Sequence, residues 1–99
     1  MAKAKFEDLL YQLGQDGAAY DEARRRLISN SIRFWKDLCV TAQHHPDPII
    51  RAKVISVISG AKKVSLPQRR AALEKLLETE SHEIPLRSLR FALRFSLDL

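Results

Sequence analysis

Apolar residues recur at intervals of three and four along nearly the whole chain, and no window alternates long enough to make a strand. A chain with that period hides its apolar side chains only by packing helix against helix, so the expected class is all-α. Turn signals cut the pattern into about five helices. The first runs from Lys5 to Leu13 and ends at Gly14 and Gly17; the second is expected to run unbroken from about Ala18 to Gln43. On one face of that long helix lie Leu27, Ile28, Phe34, Trp35, Leu38, Cys39 and Ala42, which places Trp35 and Leu38 in the core. Arg25, Arg26, Ser29, Arg33 and Lys36 fall on the other side.

The residue before a proline avoids α geometry, so His44-His45-Pro46-Asp47-Pro48 ends the second helix, and Asp47 can cap a third over Pro48 to Ser59. Pro67 opens a fourth helix to about Thr79, and a fifth from about Ile84 to Leu97 tolerates Pro85 in its first turn. Short connections imply antiparallel helical hairpins. At 99 residues the chain is long enough for one modest core and no second domain, so residues 1–99 are read as a single helical domain.

Two segments, residues 32–60 and 67–97, match at a spacing of about 36 residues. Asp47-Pro-Ile-Ile-Arg51-Ala-Lys-Val-Ile can be laid on Glu83-Ile-Pro-Leu-Arg87-Ser-Leu-Arg-Phe, with an acid four residues before an arginine in both. The arrangement of helix, acidic turn, arginine and second helix resembles a HEAT-like repeat over about two thirds of the chain. The resemblance implies that Asp47/Arg51 and Glu83/Arg87 are structural contacts tying neighbouring repeats together. The competing expectation is an irregular helical bundle.

Charge is unevenly placed. Between Arg24 and Arg70 eleven Lys and Arg face only Asp37 and Asp47, within a net charge of +5. Such a concentration suits phosphate backbones or acidic protein surfaces. No apolar stretch is long enough to span a bilayer, and the N-terminus lacks the apolar core of a signal peptide, so no membrane partner and a cytoplasmic location are expected. The single cysteine fits a reducing compartment.

Catalytic groups are hard to assemble from this sequence. Cys39 lies on the apolar face and reads as a core thiol rather than a nucleophile. His44, His45, Asp47 and His82 have no zinc-binding spacing and read as turn residues, while Glu78, Glu80 and Glu83 read as helix surface and caps. No metal, cofactor, small-molecule substrate or enzymatic activity is expected. Two surfaces stand out instead. On the last helix, Leu86, Leu89, Leu93 and Leu97 form one apolar line, Arg87, Arg90 and Arg94 flank it, and Phe91 and Phe95 occupy a third side. Aromatics rimmed by arginine are the composition of protein interfaces, so the leading expectation is an adaptor or regulatory module that docks a partner protein or a second copy of itself. The alternative is a nucleic-acid-binding accessory protein whose stripe of Arg25, Arg26, Arg33 and Lys36, with Lys62, Lys63, Arg69 and Arg70 as neighbours, contacts phosphates.

Overall fold

The computed structural model describes residues 5–96, and all regular structure among them is helical. Six α-helices follow one another: α1 Phe6–Leu13, α2 Ala18–Ser29, α3 Trp35–His44, α4 Pro48–Gly60, α5 Leu66–Thr79 and α6 Glu83–Phe91. Ala92–Ser96 continue α6 as a π-helical turn. None of these helices is long and apolar enough to cross a membrane.

Local chemistry accounts for most of the helix ends. Gly17, at φ 68°, enters α2 through a backbone conformation that a side chain would strain. Asp47 accepts a hydrogen bond from the Ile49 N–H at 2.9 Å and Pro48 supplies the first residue of α4. Ser65 accepts from the Gln68 N–H at 3.3 Å, so α5 starts at Leu66, one residue before Pro67. His82 caps α6 through Nδ1, which accepts from the Ile84 N–H at 3.2 Å.

The long second helix expected from the periodicity is two helices. Residues 30–34 form turns between α2 and α3. Asn30 closes α2: its backbone N–H donates to the Arg26 carbonyl at 3.0 Å and its side-chain Nδ2 donates to the same oxygen at 2.8 Å. An asparagine that bonds back to the preceding turn competes with continuation of the helix. The break re-aims the aromatics. Phe34 is 5% exposed and packs its ring 5.6 Å from that of Phe6, whereas Trp35, expected in the core, is only half-buried against its edge. Leu38 is fully buried as expected.

Helix α4 is the centre of the molecule. It packs against α2, α3, α5, α6 and the π-helical turn. Val54, Ile55, Val57 and Ile58 are all fully buried, so apolar side chains occupy several sides of this helix instead of one stripe. Around them gather Leu27, Leu38, Leu73 and Leu89, each fully buried, and α1 closes one end by packing on α2 through Leu9 and Leu13.

One polar contact joins the two inter-helix turns beside α4. Arg51 Nε and Nη2 donate to Glu80 Oε1 and Oε2 at 2.9 and 3.0 Å, while Arg51 Nη1 donates to the His45 carbonyl at 2.7 Å. Glu80 Oε2 also accepts from the backbone N–H groups of Ser81 and His82, both at 3.1 Å. The side chains are 15% and 8% exposed. Arg51 is thus paired across 29 residues with Glu80, and not with Asp47 as the repeat alignment implied, because Asp47 is engaged in capping. The second aligned pair, Glu83 with Arg87, does form at 3.0 Å, but as an exposed contact within one helix turn.

The difference in burial gives a direct test. Arg51→Ala leaves a nearly buried carboxylate without its guanidinium and should destabilise by about 3–5 kcal/mol, whereas Arg87→Ala should cost no more than about 0.5 kcal/mol; thermal melts of the two variants read the contrast. Burial raises the Glu80 pKa, but the Arg51 hydrogen bond, the His82 N–H and the Arg51 charge together hold it below its ordinary value of 4.5. A carboxylate depressed in the fold stabilises it above the unfolded pKa, and that contribution is lost as pH falls through the folded one. Melts of the parent chain should therefore drop on acidification below about pH 4 more steeply than those of Glu80→Gln.

Ser31 supplies a second test. It is fully buried in the turn between α2 and α3, and its hydroxyl has no hydrogen-bond partner among the described residues. Removing a hydroxyl that folding desolvates without compensation is neutral or favourable. Ser31→Ala should leave the melting temperature unchanged or raise it, and a marked fall would show that this hydroxyl is satisfied in solution.

Candidate docking surface

The last helix buries one side and leaves another bare. Leu89 is fully buried, Leu93 packs partly on the core, and Pro85 and Ala92 are buried. Leu86 is half-buried, and Leu97 lies outside the described residues. Phe91 and Phe95 stand 60% and 53% exposed, with ring centroids 5.4 Å apart and planes tilted by 51°. The Arg94 guanidinium lies 5.1 Å from the centre of the Phe95 ring, which keeps an apolar surface beside a cation. Arg90 is exposed, and Arg87, also exposed, pairs with Glu83. All five residues expected to bind a partner are thus at the surface of α6 and its π-helical turn.

A groove of about 600 Å³ opens beside this surface, between α2, α4 and α6. Phe91 forms part of its wall, and Arg24, Lys62 and Arg87 bring three cations to it. Its lining includes the serines Ser56, Ser59 and Ser88, and no described lining residue is acidic. Arg24 is held in place: its Nε donates to Ser56 Oγ at 3.1 Å and its Nη2 to the Ser56 carbonyl at 3.4 Å. Gly60 makes room for it, since a Cβ there would sit 3.1 Å from Arg24 Nη2 and 3.2 Å from Ile28 Cδ1. In the sequence Arg24 is one cation of the basic region, with nothing local to mark it as a site residue. The legible signal was the trio Ser56, Ser59 and Gly60, which leaves one side of α4 without bulk.

The basic stripe fares differently. Because the chain turns at residues 30–34, Arg25 and Arg26 belong to α2, Arg33 to the turn and Lys36 to α3, so they do not line one continuous helix. Arg25 and Arg26 both contact Glu22, whose pKa is held below the ordinary carboxylate value chiefly by the hydrogen bond and charge of Arg25. Arg33 lies 4.6 Å from the centre of the Phe34 ring. Lys63 donates to the Ser29 carbonyl at 2.9 Å, near the end of α2. Arg69, expected among the phosphate contacts, is instead 6% exposed and structural. Its Nε donates to the Val64 carbonyl at 2.9 Å and its Nη1 to the Ser59 carbonyl at 3.0 Å, tying down the loop that follows α4. A helix C-terminus has unsatisfied carbonyls, and a guanidinium meets that need.

Cys39 is half-buried in a shallow groove between α3 and α5; burial pushes its thiol pKa up and the nearby Lys75 charge offsets only part of that. A thiol so shifted is a poor nucleophile. His45 Nδ1 accepts from the Asp47 N–H at 3.0 Å and His82 is a helix cap, so both rings serve the turns they sit in. No group of three or more metal-ligating side chains occurs among the described residues. No protein-family model, curated protein or solved structure matches the chain.

Proposed function

We propose that this chain is a non-enzymatic protein-binding module that docks a partner protein through α6 and its π-helical turn. The observation that carries this reading is the pair of exposed phenylalanines, in tilted ring contact, beside Arg87, Arg90 and Arg94. Exposed large aromatics are costly to leave in water, and two together form the kind of anchor that interfaces use, with arginine as the rim. A partner of different sequence fits better than a second copy. Pairing this face with itself about a two-fold axis would bring Arg90 and Arg94 close to their own copies, and like charges oppose such an approach.

The scaffold in this proposal is a HEAT-like stack in which α3 with α4 and α5 with α6 are the helix pairs. Its support is the packing of α4 on α6 and of α3 on α5, which brings like-placed helices side by side. Cytoplasmic residence belongs to the same reading and rests on the single free thiol and the absence of a long apolar run. The nucleic-acid alternative has weaker support, because its stripe is divided between two helices and a turn, shares Glu22 between two of its arginines, and has Arg69 buried.

The test separates anchor from core. Phe91→Ser with Phe95→Ser should shift the melting temperature far less than Leu89→Ser, which opens the core and costs on the order of 3–5 kcal/mol. A photo-crosslinking amino acid placed at position 91 or 95 in cells should give a discrete protein adduct, and the same probe at exposed Tyr11 should not. Equal labelling at all three positions, or none at 91 and 95, would remove the docking reading.

A further inference from the structure

We infer that the groove between α2, α4 and α6 receives an acidic segment of the partner protein, with Arg24, Lys62 and Arg87 taking its carboxylates and Phe91 taking an apolar side chain next to them. This rests on the docking reading above and gives the partner its chemistry. Three features of the groove argue for it. Three cations converge on one opening whose described lining holds no acid, so its potential is complementary to negative charge. Arg24 is fixed by bonds to a hydroxyl and a carbonyl, both neutral, so its guanidinium keeps its charge and is already oriented when a carboxylate arrives.

The third feature is size. A volume of about 600 Å³ holds several side chains, far more than a single small oxyanion fills, and the exposed face of Phe91 on its wall gives an apolar neighbour to the charges. An extended acidic segment with an apolar residue in it uses both parts of that lining. Serines at Ser56, Ser59 and Ser88 leave the floor open, and Gly60 lets Arg24 lie against α4. Among the described residues Arg87 pairs with the exposed Glu83 on its own helix, a weak pairing that an incoming carboxylate can exchange for.

Fluorescence anisotropy of the full chain tests this with a fluorescein-labelled peptide of eight glutamates around one leucine. Saturable binding is expected that weakens at least about 5-fold between 50 and 200 mM salt, as screening requires, while a peptide with glutamine for every glutamate should not bind. Lys62→Glu with Arg87→Glu should weaken the acidic peptide at least about 10-fold. Arg25→Glu with Arg26→Glu makes the same change in net charge elsewhere and should have little effect. If the glutamate pair lowers the melting temperature, Lys62→Gln with Arg87→Gln serves in its place. No binding, equal loss in the two double variants, binding of the glutamine peptide, or preference for a single-stranded oligonucleotide would overturn the inference. Crosslinking at positions 91 and 95 that persists beside any of these results leaves the docking surface standing and removes only the acidic occupant. Groove-dependent peptide binding without that crosslinking removes the docking surface instead.

Discussion

The Arg51–Glu80 contact holds together parts of the chain that their own sequence does not hold. The turn before α4 and the turn before α6 are both short and polar, and neither has enough apolar surface to fix its position by packing. Arg51 spans the gap, donating to the carboxylate on one side and to the His45 carbonyl on the other. Glu80 completes the link by accepting from two backbone N–H groups of its own turn. With these two turns registered, α4 and α6 enter the bundle side by side, which is the packing that forms one wall of the groove. A buried ion pair is often no better than apolar residues of the same size. Here it also satisfies backbone groups that apolar residues could not, and this is a physical reason for a charge at that place.

The surface on α6 and the groove beside it combine two kinds of attraction that act at different ranges. Positive potential reaches about a Debye length into solution and brings acidic surfaces together. Phe91 and Phe95 act only on contact, where apolar area is removed from water. In the proposed docking, the net charge of +5 would raise the encounter rate and the aromatic contact would lengthen residence.

Much of the fold was legible because its signals are local. Asp47 before Pro48 and the turn before Pro67 mark helix starts through capping and proline geometry that need no tertiary information, and the two-sided pattern of the last helix pointed to exposed Phe91 and Phe95. What could not be read is what depends on distant residues. The apolar rhythm passes through Asn30 with little interruption, so the break between α2 and α3, and the place of Trp35 at the edge of the core, stay hidden. Asp47 lies four residues from Arg51 and looks like its partner, while the true partner is 29 residues away. Arg69 reads as solvent-facing because its reason for burial is a set of carbonyls supplied by the preceding loop and helix end. The groove combines residues from three helices and the loop after α4, so no single window contains it.

The π-helical turn at Ala92–Ser96 has a consequence for how this surface can change. Its hydrogen bonds close over five residues instead of four, so it accommodates one residue more than an α-helical turn would. Loss of that extra residue would let the turn close as α with Phe95 kept near its present angle, whereas the same loss from an ordinary α-helical stretch turns the remainder by roughly 100°. Phe91 is fixed by the α-helical part that Leu89 anchors. The spacing of Phe91 and Phe95 is thus tied to the hydrogen-bond pattern of this turn as well as to residue type, and the same turn carries Ala92 and Leu93 onto the core.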